Sequence, residues 1–348
     1  MMRALVLAAL LLPLVSAGTE PHAVVLLYHH VDDSTPASTS VSPQVFEQHL
    51  DWLEEHDYEV WPLERLVYAF VDGAEETPNR VVAITFDDGF ESVYAQAWPM
   101  LEKRGWPFAV FVNSDAVDAG HSPYMDWKQL EELASAGVTI ANHSASHGHL
   151  IARAKDENRR AWKKRVAQDI ERGRRRMADE TGSDSRLFAY PYGEASKALE
   201  ALVKKNHDHA FSQSSGAVGP HTDRYLIPRF AMAGTHAGME RFAQAVRSRA
   251  LPVSGLRLRP AGDGVRTAVD SVELRLEKGG YDRSQLACYS AGGQALDVQD
   301  DGKSGVVVNM DEQGRPGRNR INCTAPSTSG GGVFYWFSHQ WVQDEVRD

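Results

Sequence analysis

The chain has 348 residues, of which 42% are hydrophobic, and its 37 Lys and Arg against 47 Asp and Glu give a net charge of −10. This length corresponds to about two domains and allows a substantial buried core. The composition therefore excludes intrinsic disorder and a small scaffold that depends on disulfides. The acidic excess argues against a protein that binds nucleic acid over its surface.

The first 17 residues have the features of a secretory signal peptide. A charged start at residues 1–3 precedes an apolar run from Ala4 to Val15, and small residues follow at 16–17. This three-part order is typical of a cleavable leader, and the run is too short to span a bilayer. We therefore expect an exported chain, periplasmic or extracellular, that begins near Gly18 and has no stable membrane insertion. An uncleaved N-terminal anchor is the alternative.

Residues 18–250 alternate short apolar runs with amphipathic stretches, which is typical of β-α units around a parallel sheet. Nearly continuous apolar runs, as expected of strands covered on both faces, begin at Val24, Val81, Phe108, Val138 and Leu187. Apolar residues at helical spacing lie between these runs, for example Phe46, Leu50 and Leu53. The pattern predicts an α/β catalytic domain over this range.

The pattern changes after residue 250. Gly, Ser and Asp become frequent, and Val272, Leu274 and Leu276 alternate with charged residues. Alternation with period two is the signal of a half-buried strand. We expect a small, all-β, sandwich-like domain over residues 251–348.

The only two cysteines of the chain, Cys288 and Cys323, lie in this second domain. Because exported proteins fold where thiols oxidise, we expect the two to form a disulfide bond rather than a metal or catalytic thiol site. Trp336 and Trp341 lie in the same region. They indicate either an accessory carbohydrate-binding module or a plain folding or docking unit with an aromatic core.

Two adjacent carboxylates, Asp87 and Asp88, end the strand that begins at Val81, and Gly89 follows them. Adjacent side chains at a strand end diverge, so one carboxylate can bind a metal while the other reaches a water or substrate. A turn or a helix N-cap is the alternative for this pair alone.

Two histidines, His143 and His147, follow the strand that begins at Val138. Histidines four residues apart lie on one face of a helical turn and can direct ring nitrogens at one ion. Together with a carboxylate from another strand end they would form a two-histidine, one-carboxylate metal site. A chance pair on a surface helix is the alternative.

A third cluster, Tyr190-Pro191-Tyr192-Gly193, follows the strand that begins at Leu187. Proline and glycine fix a turn there, and a backbone amide of the turn could donate to a developing oxyanion. A purely structural turn is the alternative for this cluster alone. Because the carboxyl ends of parallel strands meet at one edge, the three clusters are expected to converge.

These motifs, in this order, resemble those of the polysaccharide deacetylase family: Thr85-Phe86-Asp87-Asp88-Gly89, His143-Ser144-Ala145-Ser146-His147 and Pro191-Tyr192-Gly193. Tyr28-His29-His30-Val31 is similar to the branch that acts on poly-β-1,6-N-acetylglucosamine. The resemblance covers about residues 24–248 and implies a distorted (β/α) barrel of the NodB-homology type.

The resemblance implies a role for each matching residue. Asp87 would be the catalytic base, Asp88, His143 and His147 the metal ligands, and Tyr192 with its loop the oxyanion donor. Two features of the family are missing from the sequence. Ala189 and Tyr190 stand where many members have an arginine that holds the base. The late histidine that protonates the leaving amine has no clear copy, and His236 is the candidate for this acid, with a loop histidine as the alternative.

We therefore expect a metal-dependent enzyme that removes N-acetyl groups from an N-acetylglucosamine-containing polysaccharide. The expected cofactor is one divalent ion, zinc before cobalt, nickel, iron or manganese, because all of these suit two imidazoles and a carboxylate. The expected partner is the N-acetylated polysaccharide, with no nucleic acid. An O-acetyl esterase on the same scaffold and a catalytically silent carbohydrate-binding protein are the alternatives.

Overall fold

The structure, a computed structural model, describes residues 22–75, 77–260, 269–310 and 317–343. The predicted signal peptide lies outside the described residues. Within the described ranges, no helix is both long enough and apolar enough to cross a membrane.

An eight-stranded sheet forms the first part of the molecule. The first ten strands, in chain order, are β1 (Ala23–Tyr28), β2 (His30–Val31), β3 (Ser40–Val41), β4 (Glu59–Val60), β5 (Val81–Asp88), β6 (Ala109–Val112), β7 (Thr139–Asn142), β8 (Leu187–Ala189), β9 (His209–Phe211) and β10 (Phe230–Ala231). The main sheet has the order β10-β1-β5-β6-β7-β8-β9, with β4 also paired to β5, while β2 and β3 pair separately. All of these pairs are parallel.

The sheet curves into a distorted (β/α) barrel. A parallel bridge from Phe211 in β9 to Ile227 brings the far edge back towards β10, which pairs with β1. The helices are α1 (Pro43–Glu55), α2 (Leu63–Phe70), α3 (Trp98–Lys103), α4 (Ser114–Asp118), α5 (Trp127–Ser135), α6 (Arg159–Thr181), α7 (Lys197–Val203) and α8 (Met239–Val246). The predicted NodB-type fold class is confirmed.

The apolar pattern explains the packing of the barrel. Every residue of β1 is buried, and alternate residues enter two different clusters, with Leu26 in one and Val25 in the other. Phe46, Leu50 and Leu53 form the buried face of α1 as their spacing predicted. This helix begins where the Ser42 side chain accepts a hydrogen bond from the Val45 amide, with proline at its first position.

Two four-stranded sheets form the second part. Their strands are β11 (Arg249–Ala250), β12 (Val253–Pro260), β13 (Val269–Leu276), β14 (Ala287–Ser290), β15 (Asp297–Asp300), β16 (Gly305–Asn309), β17 (Gly317–Pro326) and β18 (Phe334–Gln343). The sheets have the orders β11-β18-β17-β14 and β12-β13-β16-β15. They share one apolar core, as in a sandwich. The division of the chain at residues 250 and 251 stays a prediction.

Cys288 and Cys323 lie directly opposite each other on β14 and β17 and form the predicted disulfide bond. The two tryptophans have different surroundings. Trp341 is buried in the sandwich core. Trp336 is half-buried and packs edge-on against Phe230 of β10. Both rings therefore contribute to packing, one within the sandwich and the other against the barrel.

Candidate functional site

The three sequence clusters meet at the carboxyl-terminal edge of the parallel sheet. Asp87 and Asp88 end β5, the histidine pair follows β7, and the turn Pro191–Gly193 follows β8. Since β5, β6, β7 and β8 are parallel neighbours, their loops leave the sheet on one side.

Asp88, His143 and His147 form a compact cluster. One ligand atom from each lies within 4.8 Å of the others. The Asp88 Oδ1 atom is 3.4 Å from His143 Nε2 and 3.1 Å from His147 Nε2. Two ligands that share an ion at about 2.1 Å would be separated by roughly 3.0–3.4 Å, depending on the coordination geometry. The separations therefore suit a shared divalent ion.

A hydrogen bond at Nδ1 determines which ring nitrogen of His143 faces the cluster. His143 Nδ1 lies 2.8 Å from the Ala189 carbonyl oxygen. A carbonyl only accepts, so Nδ1 carries a proton, and Nε2 is the ring nitrogen that faces Asp88 Oδ1. Burial lowers the pKa of His143, but the carboxylates of Asp87 and Asp88 outweigh burial, and the pKa lies above its ordinary value.

The two histidines converge through a loop, so the expectation of a helical turn was wrong. The segment from His143 to His147 has no helical hydrogen bonding, and Ser144 and His147 have φ angles of 65° and 51°. Polar side chains replace the helical bonds. The Ser144 amide donates to Asn142 Oδ1 at 3.0 Å, and the Ala145 amide donates to Asp169 Oδ1 of α6 at 3.0 Å.

A glycine allows α6 to approach this loop. A Cβ atom at Gly173 would lie 2.7 Å from Asn142 Oδ1 and 2.9 Å from the Ser144 backbone carbon. Only glycine fits at such a distance. The helix therefore supports the histidine loop from behind.

The donor set fits a divalent ion. Asp88 Oδ1 and His143 Nε2 are buried atoms without a hydrogen-bond partner in the described part of the chain, which is the state expected of ligand atoms. Burial raises the pKa of Asp88, but the adjacent imidazoles of His143 and His147 hold it well below the ordinary range. An ionised carboxylate and two imidazoles are a donor set typical of zinc and related ions.

Asp87 is held by a residue that the sequence did not indicate. Arg229 makes a bidentate ion pair, with Nη1 2.7 Å from Asp87 Oδ1 and Nη2 2.7 Å from Oδ2, and both side chains are fully buried. Arg229 Nε also donates to the Ser212 carbonyl at 3.0 Å. Burial raises the pKa of Asp87, but the guanidinium of Arg229 and the nearby His143 bring it below its ordinary value. Asp87 is therefore ionised at neutral pH.

A second missed residue is His29, between β1 and β2. It interacts electrostatically with Asp87, Asp88 and His143, and burial lowers its pKa. The signal was present in the sequence, because His29 directly follows a predicted strand, as the other clusters do. His30, the next residue, instead stacks on Phe90 with ring centroids 3.6 Å apart.

The turn Pro191–Gly193 forms the rim of the site. Tyr192 has a φ angle of 58°, which residues other than glycine rarely adopt. The residue is 37% exposed, and its ring stacks on His149 and also contacts the ring of His147. The amides of Gly193 and Glu194 donate within the turn, to Tyr190 and Pro191. Since proline has no amide proton, the Tyr192 amide is the candidate donor to a ligand.

Comparisons with known proteins agree with this geometry. Residues 74–209 match the family model described as polysaccharide deacetylase. A poly-β-1,6-N-acetyl-D-glucosamine N-deacetylase of Staphylococcus aureus is 27% identical over 199 residues, which cover 56% of this chain and 68% of that protein. Residues 74–209 of the chain therefore form a polysaccharide deacetylase domain.

Solved structures of other deacetylases share the fold. IcaB from Ammonifex degensii has a TM-score of 0.57 and 25% identity, with 66% of this chain and 98% of that chain covered. The Streptococcus pyogenes deacetylase PplD, solved with acetate, has a TM-score of 0.58 and 19% identity, with 66% and 99% covered. The chain therefore matches nearly the whole length of both structures and has additional strands beyond them.

His236 lies apart from the cluster. It ends an exposed 3-10 turn, Gly234–His236, and no contact among the described residues joins it to Asp87, Asp88 or the two histidines. Its role as the acid stays a prediction.

Proposed function

We propose that the chain is an exported, metal-dependent N-deacetylase that hydrolyses the acetamide groups of an N-acetylglucosamine polymer and leaves the glycosidic bonds intact. The observation that carries this proposal is the convergence of Asp88, His143 and His147 beside a buried, ionised Asp87. The relative from Staphylococcus aureus, which is named for poly-β-1,6-N-acetyl-D-glucosamine, supports this polymer as the substrate class.

The chain's residues divide the work of hydrolysis. Asp88, His143 and His147 would hold the ion, which supplies Lewis-acid polarisation of the acetamide carbonyl and acidifies a water molecule. Asp87 accepts the proton of the attacking water, because its carboxylate is ionised and lies beside the ligand cluster. The Tyr192 amide donates to the oxygen on which negative charge develops.

The leaving amine needs a proton before the carbon–nitrogen bond breaks. We propose His29 as the donor, because it faces Asp87 and Asp88 from the end of β1. Burial lowers the pKa of His29, and the carboxylates of these two residues offset part of that effect. His236 is the candidate from the sequence, and single variants of the two histidines separate them.

Zinc is the ion that we propose first. Cobalt, nickel, iron and manganese suit the same ligands, so the add-back experiment below includes each of them. An O-acetyl esterase is the second candidate function for this scaffold. The position of His29 favours the amide, because an alkoxide leaves more readily than an amine and depends less on a proton donor.

The location that we propose is periplasmic or extracellular. The disulfide bond between Cys288 and Cys323 supports this proposal, because such bonds persist in oxidising compartments. The predicted signal peptide of residues 1–17 is the second argument. We also propose residues 18–250 as the catalytic domain and residues 251–348 as an accessory domain.

Acetate release tests the function. The protein, stripped with chelator and then reloaded with one metal at a time, is offered chitin oligomers, β-1,6-linked N-acetylglucosamine polymer, peptidoglycan and acetylxylan. The proposal expects metal-dependent acetate release with the two N-acetylglucosamine polymers preferred. Preference for acetylxylan favours the esterase, and stoichiometric metal with no acetate from any glycan favours a binding protein.

Variants assign the roles of individual residues. Asp87→Asn should retain the metal and lose turnover, whereas His143→Ala should lose both. His149→Ala is the matched control, because His149 pairs with Glu194 at the rim and lies outside the ligand cluster. It should retain the metal. Turnover by Asp87→Asn would remove Asp87 as the base.

A further inference from the structure

One face of β18 lies against the barrel. Trp336, Ser338 and Gln340 are alternate residues, so they share a face of the strand. Trp336 packs on Phe230 and its ring lies 4.7 Å from the Arg241 guanidinium. The other two residues donate hydrogen bonds to backbone carbonyls of barrel loops.

Two residues of the C-terminal sheet bind the turn that carries Tyr192. Gln340 Nε2 donates to the Gly193 carbonyl, and Arg318 Nη1 of β17 donates to the Tyr192 carbonyl at 2.5 Å. These are consecutive carbonyls. Together the two bonds restrain the peptide groups on the carboxyl side of Tyr192, whose backbone is in the left-handed region. Such conformations persist where the surroundings fix them.

A third residue of this sheet binds the loop that orients the base. Ser338 Oγ donates to the Ser215 carbonyl. The same loop provides the Ser212 carbonyl that accepts from Arg229, and Gln213 Nε2 lies 3.5 Å from Asp87 Oδ2. The loop therefore touches both members of the buried ion pair.

The two loops are packed directly on each other. A Cβ atom at Gly193 would lie 2.8 Å from both Cβ and the backbone nitrogen of Gln213. With no free space between them, a displacement of the turn moves the loop beside Asp87. The contacts from β17 and β18 therefore restrain both the turn that carries Tyr192 and the loop beside Asp87.

We propose that Gln340, Arg318 and Ser338 are positioning residues for deacetylation, so that the C-terminal sheet is a working part of the active site rather than an independent module. This inference rests on the proposed function for its effect on rate. The contact itself is tested independently of activity.

The experiment compares Gln340→Met, which keeps side-chain length and removes the donor, with Gln340→Lys, which keeps a donor. Arg283→Met is the control, because Arg283 pairs with Asp300 in the other sheet of the sandwich. The measurements are deuterium uptake by peptides covering residues 190–195 and 212–216, metal content, and kcat and KM for acetate release from the full chain.

We expect Gln340→Met to speed deuterium uptake in both peptides and to lower kcat by about 10-fold to 100-fold, because small displacements of an oxyanion donor are costly. Metal content should not change, and KM should stay within about threefold, since the lost interaction acts in the transition state. Gln340→Lys should restore most of kcat, and Arg283→Met should leave it unchanged.

Unchanged deuterium uptake in Gln340→Met would overturn the inference. Faster deuterium uptake without a fall in kcat would also overturn it. A fall in kcat that is accompanied by an equal loss of bound metal would overturn it as well. Arg318→Met tests the same turn from an exposed position, which protects the experiment against a Gln340 variant that does not fold. A wild-type protein inactive on every glycan would overturn the proposed function, while the uptake data still decide whether the sheet holds the turn.

Discussion

Replacement of Arg229 by methionine should both destabilise the protein and narrow the pH range in which Asp87 is ionised. Arg229 and Asp87 are fully buried and joined by two bonds of 2.7 Å. Removing one partner of such a pair leaves an uncompensated charge, which costs about 3–5 kcal/mol. The bond from Arg229 to the Ser212 carbonyl is lost as well, at about 1 kcal/mol. We therefore expect a total loss of about 4–6 kcal/mol in the free energy of unfolding.

The same change should alter the pH dependence of activity. Burial raises the pKa of Asp87, and Arg229 is the largest of the influences that lower it. Without Arg229 the pKa of Asp87 rises, so protonation inactivates the base at a higher pH. The acid limb of the plot of kcat/KM against pH should move to higher pH. Arg229→Lys should show a smaller effect, because lysine keeps the charge and loses the bidentate geometry.

Urea unfolding at neutral pH and pH profiles of acetate release measure the two effects. The matched control is Arg186→Met, which breaks an equally bidentate pair with Asp208 at the surface, where both partners are more than a third exposed. It should cost less than about 1 kcal/mol. The assigned role of the buried pair would be refuted if Arg229→Met were as stable as this control and the acid limb of its plot of kcat/KM against pH lay at the same pH as in the wild type.

Three more predictions concern separate parts of the structure. His29→Gln should lower kcat by about 100-fold or more on an acetamide and far less on an acetate ester, with His236→Gln unchanged; equal losses on both substrates would remove His29 as the acid. His49 is buried and its pKa is lowered to about 4, so stability should fall as pH drops from about 6.5 to 4 because the unfolded state binds the proton first. Urea unfolding of His49→Gln should show a slope smaller by up to about 1.4 kcal/mol per pH unit, and an identical slope would contradict this. Cys288→Ser opens a loop that spans 35 residues and should cost about 3–4 kcal/mol in urea unfolding; a loss under about 1 kcal/mol would contradict the entropic argument.

The cluster of Asp88, His143 and His147 could be predicted from the sequence because these residues lie at or shortly after the ends of strands with strong apolar patterns. Val81–Asp88 is buried throughout, so its apolar pattern located the strand. The parallel arrangement of the strands then predicted that the residues at their carboxyl ends lie close together. The same rule, applied to the end of β1, would have identified His29. The path between the two histidines was less accessible, because it depends on Asn142 and Asp169 bonding the loop amides.

Arg229 could not be assigned in the same way. It precedes a strand of only two residues, Phe230–Ala231, and is 142 residues from Asp87 along the chain. No periodic pattern marks so short a strand. The role of β18 was hidden for a similar reason. Its alternation predicted two faces, but the sequence does not say that one face meets the barrel loops.

The most direct test of the account is a crystal structure of the metal-loaded protein with anomalous data at the absorption edge of the ion. The account predicts one strong peak within about 2.3 Å of Asp88 Oδ1, His143 Nε2 and His147 Nε2. Asp87 should remain paired with Arg229 beside it. A peak at other residues, or metal-loaded protein with an empty cluster, would contradict the account.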